Sequence, residues 1–338
     1  MILALLTSFL SLTSFAETSI ENHLVMNSKS GFVSYLSNIP MDQANLNIDT
    51  VVIMTHGSDC NAQTYFDTVI IEARALNIQS HVLAIAPHFK TPTDTADTLL
   101  PNELSFDDEA WLRGAGSLQD SSVTSFAAVD EMVKRAVNPN LFPAVKTVVI
   151  TGHSAGGQLT QRYALGSRLE QNYPHIHFRY LAANPGSYTY LNGLRPVLAS
   201  QSPSPYVPTG LFVVPASASS CDYDGYKYGL SGLNQYPYMS QIPANQMIEE
   251  YLARDVTYML GEADTDPGDG LDQDCPAVVQ GPFRFARGLN FKSYLDHLFP
   301  YHTHKLVTIP GVIHSERAMF TAPNGAKALF PDAYPAVH

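Results

Sequence analysis

Positive charge is the scarcest property of this 338-residue chain, which has 19 Lys and Arg against 31 Asp and Glu and only 15% charged residues. No run of basic residues occurs. The chain therefore offers no electrostatic track for a phosphate backbone or an anionic membrane surface, which excludes nucleic acid as a partner. Cysteine is nearly as rare: Cys60, Cys221 and Cys275 are the three. None has His or Cys at metal-ligand spacing, so a zinc site is not expected. An exported chain can oxidise two of the three. Cys221 and Cys275 are the favoured pair, since both fall in loops on one rim, but sequence alone leaves the pairing open. Long apolar runs, internal repeats and low-complexity tracts are missing too. No segment is expected to span a membrane, because the apolar stretch at residues 2–15 is too short.

What is present is a large hydrophobic share, 45%. That is enough for one sizeable core and points to a single α/β domain with an insertion. Residues 2–15 are apolar or hydroxylic and uncharged, and they lead into Ser14-Phe15-Ala16 and then Glu17. This pattern predicts a secretory signal peptide over 1–16, cleaved after Ala16, with the mature domain over 17–338. A membrane anchor or a buried helix is the alternative.

Short β-rich runs alternate with helical periodicity. Strands are expected at 50–56, 81–87, 145–150, 178–183, 256–260 and 305–309, with an early edge strand at 31–37. Helices are expected at 64–76, with Phe66, Ile70, Ala73 and Leu76 on one stripe, and from an N-cap at Asp120-Ser121 to about 138. Residues 90–119 read as loop. This rhythm predicts a mostly parallel central sheet with helices on both faces. Residues 187–252 break it and are rich in Pro, Ser, Gly and Tyr. They are read as a cap over the active site, or alternatively as surface loops whose tyrosines pack as core.

The most informative segment is Gly152-His-Ser-Ala-Gly-Gly157, directly after Val148-Val-Ile150 and before a helical run. A strand feeding a Gly-x-Ser-x-Gly turn leaves Ser154 at the apex with its hydroxyl exposed, as a nucleophile needs. The following helix would point its N-terminal N–H groups at a developing oxyanion. A glycine-rich structural turn is the plainer reading. Serine needs a base and an oriented base needs an anion. His314 follows the last strand and is the expected base. Asp264, in Gly261-Glu-Ala-Asp264-Thr-Asp266, follows the penultimate strand and is the expected acid, with Asp266 as alternative. The order Ser154, Asp264, His314 is the hydrolase order. The N–H groups of Ser58 and Ala155 are the expected oxyanion donors. His56 is expected to brace that loop by a hydrogen bond, and His153 to point away from the serine. His302 and His304 form a His-x-His pair without an evident third ligand. The acid loop through Asp274 carries further carboxylates, at spacings that depart from the twelve-residue calcium loop, so it reads as a turn-rich surface loop.

These residues resemble the α/β-hydrolase superfamily, and in detail a group of secreted microbial serine hydrolases. The resembling segments are His56-Gly-Ser with Asn61-Ala62, Thr151-Gly-His-Ser-Ala-Gly-Gly-Gln158, Ala183-Asn-Pro-Gly-Ser-Tyr188, Leu260-Gly-Glu-Ala-Asp264 and Pro310-Gly-Val-Ile-His314. The resemblance implies an α/β-hydrolase fold and a Ser154–Asp264–His314 triad, but no substrate. The sequence departs from the lipase-type His-Gly-Gly-Gly signature. The expected activity is hydrolysis of a small-molecule or polymer carboxylic ester, without cofactor or metal. The alternatives are a serine peptidase, an interfacial lipase, or a binding protein on the same fold. The tyrosine-rich insertion would favour aromatic or sugar-bearing esters.

Overall fold

A computed structural model describes residues 19–26, 31–93, 99–198, 205–268 and 270–334. The expected signal peptide over 1–16 and Asp269 lie outside the described residues.

Eight strands form one sheet: β1 (Ile20–Val25), β2 (Phe32–Ser37), β3 (Thr50–Thr55), β4 (Val82–His88), β5 (Thr147–His153), β6 (His177–Ala183), β7 (Asp255–Gly261) and β8 (Lys305–Ile309). Their order across the sheet is β1-β2-β4-β3-β5-β6-β7-β8. The pairs from β4 through β8 are parallel. Only β2 runs against its neighbours. The inner parallel strands β3, β4 and β5 are nearly unbroken apolar runs because both of their faces are covered, whereas β8 at the edge is mostly half-buried. The side-chain period of two sorts each strand between the two faces. Val51, Ile53, Val148, Ile150 and Tyr180 join one core with Phe126, Val129 and Leu159. Val52, Met54, Val149 and Leu181 join the other with Phe66, Ile70 and Phe320.

The helices are α1 (Ala62–Ala75), α2 (Ser125–Ala136), α3 (Ala155–Gly166), α4 (Ala244–Ala253), α5 (Cys275–Val278), α6 (Arg284–Leu298), α7 (Glu316–Thr321) and α8 (Pro323–Leu329). The stripe on α1 holds: Phe66, Ile70 and Ala73 are buried and Leu76 is half-buried. Two expectations need correction. The 31–37 strand is not an edge, because β1 pairs along it from Ile20↔Ser37 to Val25↔Phe32. The outer strand escaped notice because it is largely exposed and lacks a buried stripe. The second helix does not begin at Asp120-Ser121. Asp120 instead closes a turn, its Oδ1 accepting from Ser122 N at 2.9 Å. The N-cap is Thr124, whose hydroxyl accepts from Ala127 N at 3.1 Å.

Among the described residues, 187–252 contains only a two-residue ribbon (Arg195–Pro196 with Phe212–Val213), short 3-10 turns and α4. Its tyrosines pack inward: Tyr188, Tyr190, Tyr206, Tyr226, Tyr228, Tyr238 and Tyr251 are buried. This segment explains why every residue of α3 is buried. The sheet covers one side of that helix and the segment covers the other. Gln161 Nε2 donates to the Tyr251 hydroxyl (3.0 Å), and Arg162 Nη2 donates to the Ser187 hydroxyl (3.2 Å). Cys221 in this segment is disulfide-bonded to Cys275 at the start of α5, the pairing that the loop positions favoured. Cys60 is buried elsewhere, in the β3–α1 loop.

Candidate active site

The turn after β5 is as tight as its glycines suggest. A Cβ on Gly156 would lie 2.3 Å from the Thr55 carbonyl oxygen, and one on Gly152 would lie 2.6 Å from the Gly156 carbonyl carbon. Neither approach is possible for a residue with a side chain, so β5, β3 and α3 close up only around glycine. Ser154 pivots between strand and helix at φ 57 and ψ −117. A non-glycine residue there is strained by about 1–3 kcal/mol, and such strain collects at functional sites. The turn is pinned on both sides: Ser154 N donates to Ala183 O, and Gln158 N donates to Ser154 O, each at 3.0 Å.

Two further loops come to the same end of the sheet. The loop after β7 carries Asp264 and the loop after β8 carries His314. Backbone bonds stitch them together: Glu262 N donates to Ile309 O (3.1 Å) and Ala263 N to Val312 O (3.0 Å). Asp264 is 1% exposed. Its Oδ2 accepts from His314 Nδ1 at 2.7 Å, which fixes the imidazole tautomer and leaves Nε2 toward the cavity. Asp266 is exposed and does something else, its Oδ1 accepting from Gly268 N at 2.7 Å in a local turn. Two residues beyond Asp264 the chain has already turned to the surface.

Ser154, His314, His153 and Arg284 line one cavity of about 350 Å³, together with Gly57, Ser58, Tyr65 and Glu316. Ser58 is thus on the cavity wall, and Ala155 is the first residue of α3. His153 departs from expectation. It does not point away but packs its ring on His314, with centroids 4.3 Å apart. Burial, and then the nearby His314 and Arg284 charges, hold its pKa well below the usual imidazole value. A neutral ring thus backs His314. Arg284, itself buried, places Nη1 3.7 Å from Asp264 Oδ1, so a fixed positive charge faces the carboxylate oxygen that His314 does not use.

His56 braces the β3 loop as expected. Phe89 N donates to its Nε2 (3.0 Å), so the proton is on Nδ1, which donates to Gly57 O (2.8 Å). Among the described residues, no group of three or more His, Cys, Asp or Glu side chains is arranged to hold a metal. His302 Nε2 bonds Asp296 at 3.0 Å, and the ring of His304 lies between Tyr258 and Tyr251. Asp272 and Asp274 of the acid loop both accept from the Tyr228 hydroxyl.

The structure is similar over nearly its whole length to that of LpqC, a poly(3-hydroxybutyrate) depolymerase from Bordetella parapertussis. The identity is 18%, with 94% of this chain and 96% of that one covered at a TM-score of 0.62. It is similar also to poly(aspartic acid) hydrolase-1 from Sphingomonas sp. KT-1, at 21% identity, 89% and 95% coverage and a TM-score of 0.59. The chain has the α/β-hydrolase fold. No family model and no curated relative matches the sequence.

Within this hydrolase fold, sequence reading missed Tyr65, Arg284 and Glu316 as walls of the serine cavity. Arg284 opens α6, some twenty residues beyond Asp264. Nothing local marks it apart from the rarity of Arg in this chain. No tyrosine of 187–252 lines the cavity among the described residues, so the expected stacking platform for aromatic or sugar-bearing esters is absent from its walls. Those rings are spent on the core.

Proposed function

We propose that this protein is a serine hydrolase of carboxylic esters. The observation that carries the reading is the 2.7 Å bond from His314 Nδ1 to the buried Asp264, with His314 and the strained Ser154 on one cavity wall. In the proposed reaction the Ser154 hydroxyl attacks the acyl carbon and its proton passes to His314 Nε2. Asp264 stabilises the imidazolium that forms, and the Arg284 guanidinium faces the carboxylate oxygen that His314 does not use. The N–H groups of Ser58 and Ala155 donate to the oxyanion. The tetrahedral species collapses, and His314 returns the proton to the leaving alcohol. Water then repeats the sequence on the acyl-enzyme, regenerating Ser154 and releasing the acid.

Ser154→Ala tests this. Turnover of p-nitrophenyl acetate should fall by at least about 10⁴-fold with the fold intact. Retention of activity in the folded variant would overturn the assignment. A parallel panel of peptide amides separates an esterase from a peptidase. We further propose export, with 1–16 as a cleaved leader; the Cys221–Cys275 bond supports an oxidising destination. N-terminal sequencing of the exported protein should begin at Glu17. The segment 187–252 is taken as a fixed cap, since it buries α3 and the disulfide ties it to the chain just beyond the acid loop.

A further inference from the structure

A second cavity, of about 410 Å³, adjoins the serine cavity, and Asp59 and Asn61 belong to the walls of both. Its own walls include Ser34, Cys60, His88 and Lys90, with Glu21 at the mouth. Asn61 caps α1 by accepting from Thr64 N, so the divider between the two spaces is anchored to a helix start.

Lys90 is 5% exposed, an unusual place for an ammonium. Its Nζ donates to Glu103 Oε2 at 3.1 Å. Glu103 has other donors as well. The same Oε2 accepts from Leu100 N at 2.9 Å, and Oε1 accepts from the Ser34 hydroxyl. These bonds and the Lys90 charge hold its carboxyl below the ordinary range against the opposing effect of burial, and with Lys90 it forms a buried salt bridge. An ammonium has three N–H donors. Glu103 takes one, and the cavity wall is where the others can be used.

We infer that this second cavity is a substrate subsite in which Lys90 donates a hydrogen bond to a carbonyl oxygen one repeat away from the bond cleaved at Ser154. The occupant is an extended, uncharged chain of ester units. Two observations favour a carbonyl over an anion. Glu103 already neutralises Lys90, and the exposed Glu21 and Asp59 at the mouth repel a carboxylate. This inference rests on the ester-hydrolase reading and adds the length and chemistry of the substrate.

The test compares a single hydroxy acid blocked as its acetyl and methyl esters, which is short enough for the serine cavity alone and has the same kind of leaving alcohol, with the linear trimer blocked in the same way. In the wild-type protein kcat/KM should be at least about tenfold higher for the blocked trimer, the scale of one charge-assisted hydrogen bond. Lys90→Met alone strands a buried carboxylate and risks misfolding. The double variant Lys90→Met/Glu103→Gln removes both charges, while the amide oxygen can still accept from Leu100 N and the amide NH2 can donate to the Ser34 hydroxyl. In it the trimer-to-monomer ratio should fall to within about threefold of unity. A wild-type ratio near one overturns the subsite, and an unchanged ratio in the folded double variant overturns the role of Lys90. Ser154→Ala reports separately on the underlying reading, because it removes turnover of both substrates if that reading holds.

Discussion

Buried neutral imidazoles should make this protein acid-labile, and His304 allows the claim to be measured one residue at a time. His304 Nε2 donates to Tyr251 O (2.7 Å) and its Nδ1 accepts from the Tyr258 hydroxyl (2.8 Å). Tyr258 in turn accepts from the Tyr251 hydroxyl (2.6 Å), which accepts from Gln161. The chain of donors has one direction, and it ends on an unprotonated nitrogen. Burial is the main reason that the pKa of His304 is lowered to about 4, and the neighbouring His302 and Lys292 charges add to it, against the Tyr251 carbonyl and Asp255. His56 is lowered further, to about 3, by burial and His88. The native state then binds fewer protons than the unfolded one, so stability is complete above about pH 6.5 and falls as acid is added. At pH 5 an unfolded histidine has gained a proton at an advantage of about 2 kcal/mol, while the native His304 has not. The loss for His56 is of the same size. Asp130 opposes them. Burial raises its pKa to about 6, against the hydrogen bonds from Tyr163 and Tyr238 that lower it, so the native state gains about 1.4 kcal/mol at pH 5. Glu72 and Glu170, also raised by burial, act in the same sense as Asp130.

These opposing carboxyls make the wild-type pH profile a sum, whereas the profile of a variant relative to wild type isolates one group. His304→Gln keeps a polar partner for Tyr258 and does not titrate. Its stability relative to wild type should therefore rise by about 2 kcal/mol between pH 7.5 and pH 5, whatever its absolute value. Urea unfolding followed by tryptophan emission is the assay. The chain has a single tryptophan, Trp111, which is buried with its ring 4.7 Å from that of His56. Parallel pH profiles for the two proteins would refute the neutral, tautomer-locked state of His304.

Other consequences of the structure are read in activity or stability. Asp264→Asn should lower kcat by about 10⁴-fold through the wrong imidazole tautomer, whereas Asp266→Asn should stay within about twofold because that side chain only closes a surface turn; equal effects would remove Asp264 from its assigned place. Gly156→Ala should give insoluble or inactive protein, since its Cβ meets the backbone of Thr55 and His56 rather than a side chain that can swing away; wild-type kcat in that variant would contradict the packing of the turn. Replacing both Cys221 and Cys275 by Ser opens a loop of 54-residue separation and should cost about 4 kcal/mol by the chain-entropy argument; an unchanged urea midpoint would show that the cap is held by its tyrosine core alone.

How much of this was legible in the sequence depended on how local the governing force was. Steric exclusion at Gly152 and Gly156 acts within one turn, so the position of Ser154 could be read from five residues. Asp264 and His314 were readable because each follows a strand by a fixed few residues, and the strands are apolar runs whose ends are visible. Asp264 and Asp266, two residues apart, could be separated only by the backbone bonds that turn the loop outward after position 264. The role of the tyrosines in 187–252 was illegible for a different reason. A tyrosine that stacks on a ligand and one that packs in a core have the same composition, and only the burial of α3 on its second side decides between them. Lys90 and Glu103 lie in a segment without periodicity, thirteen residues apart, where no pattern marks a buried ion pair. The placement of His153 failed on a wrong premise. Its side chain was expected to point away from Ser154, into the turn. Alternation sets only the face of the sheet, and on that face the loop after β8 returns and places the His314 ring against it. A reading that asked which later loop must cross the face chosen for position 153 would have found the second imidazole.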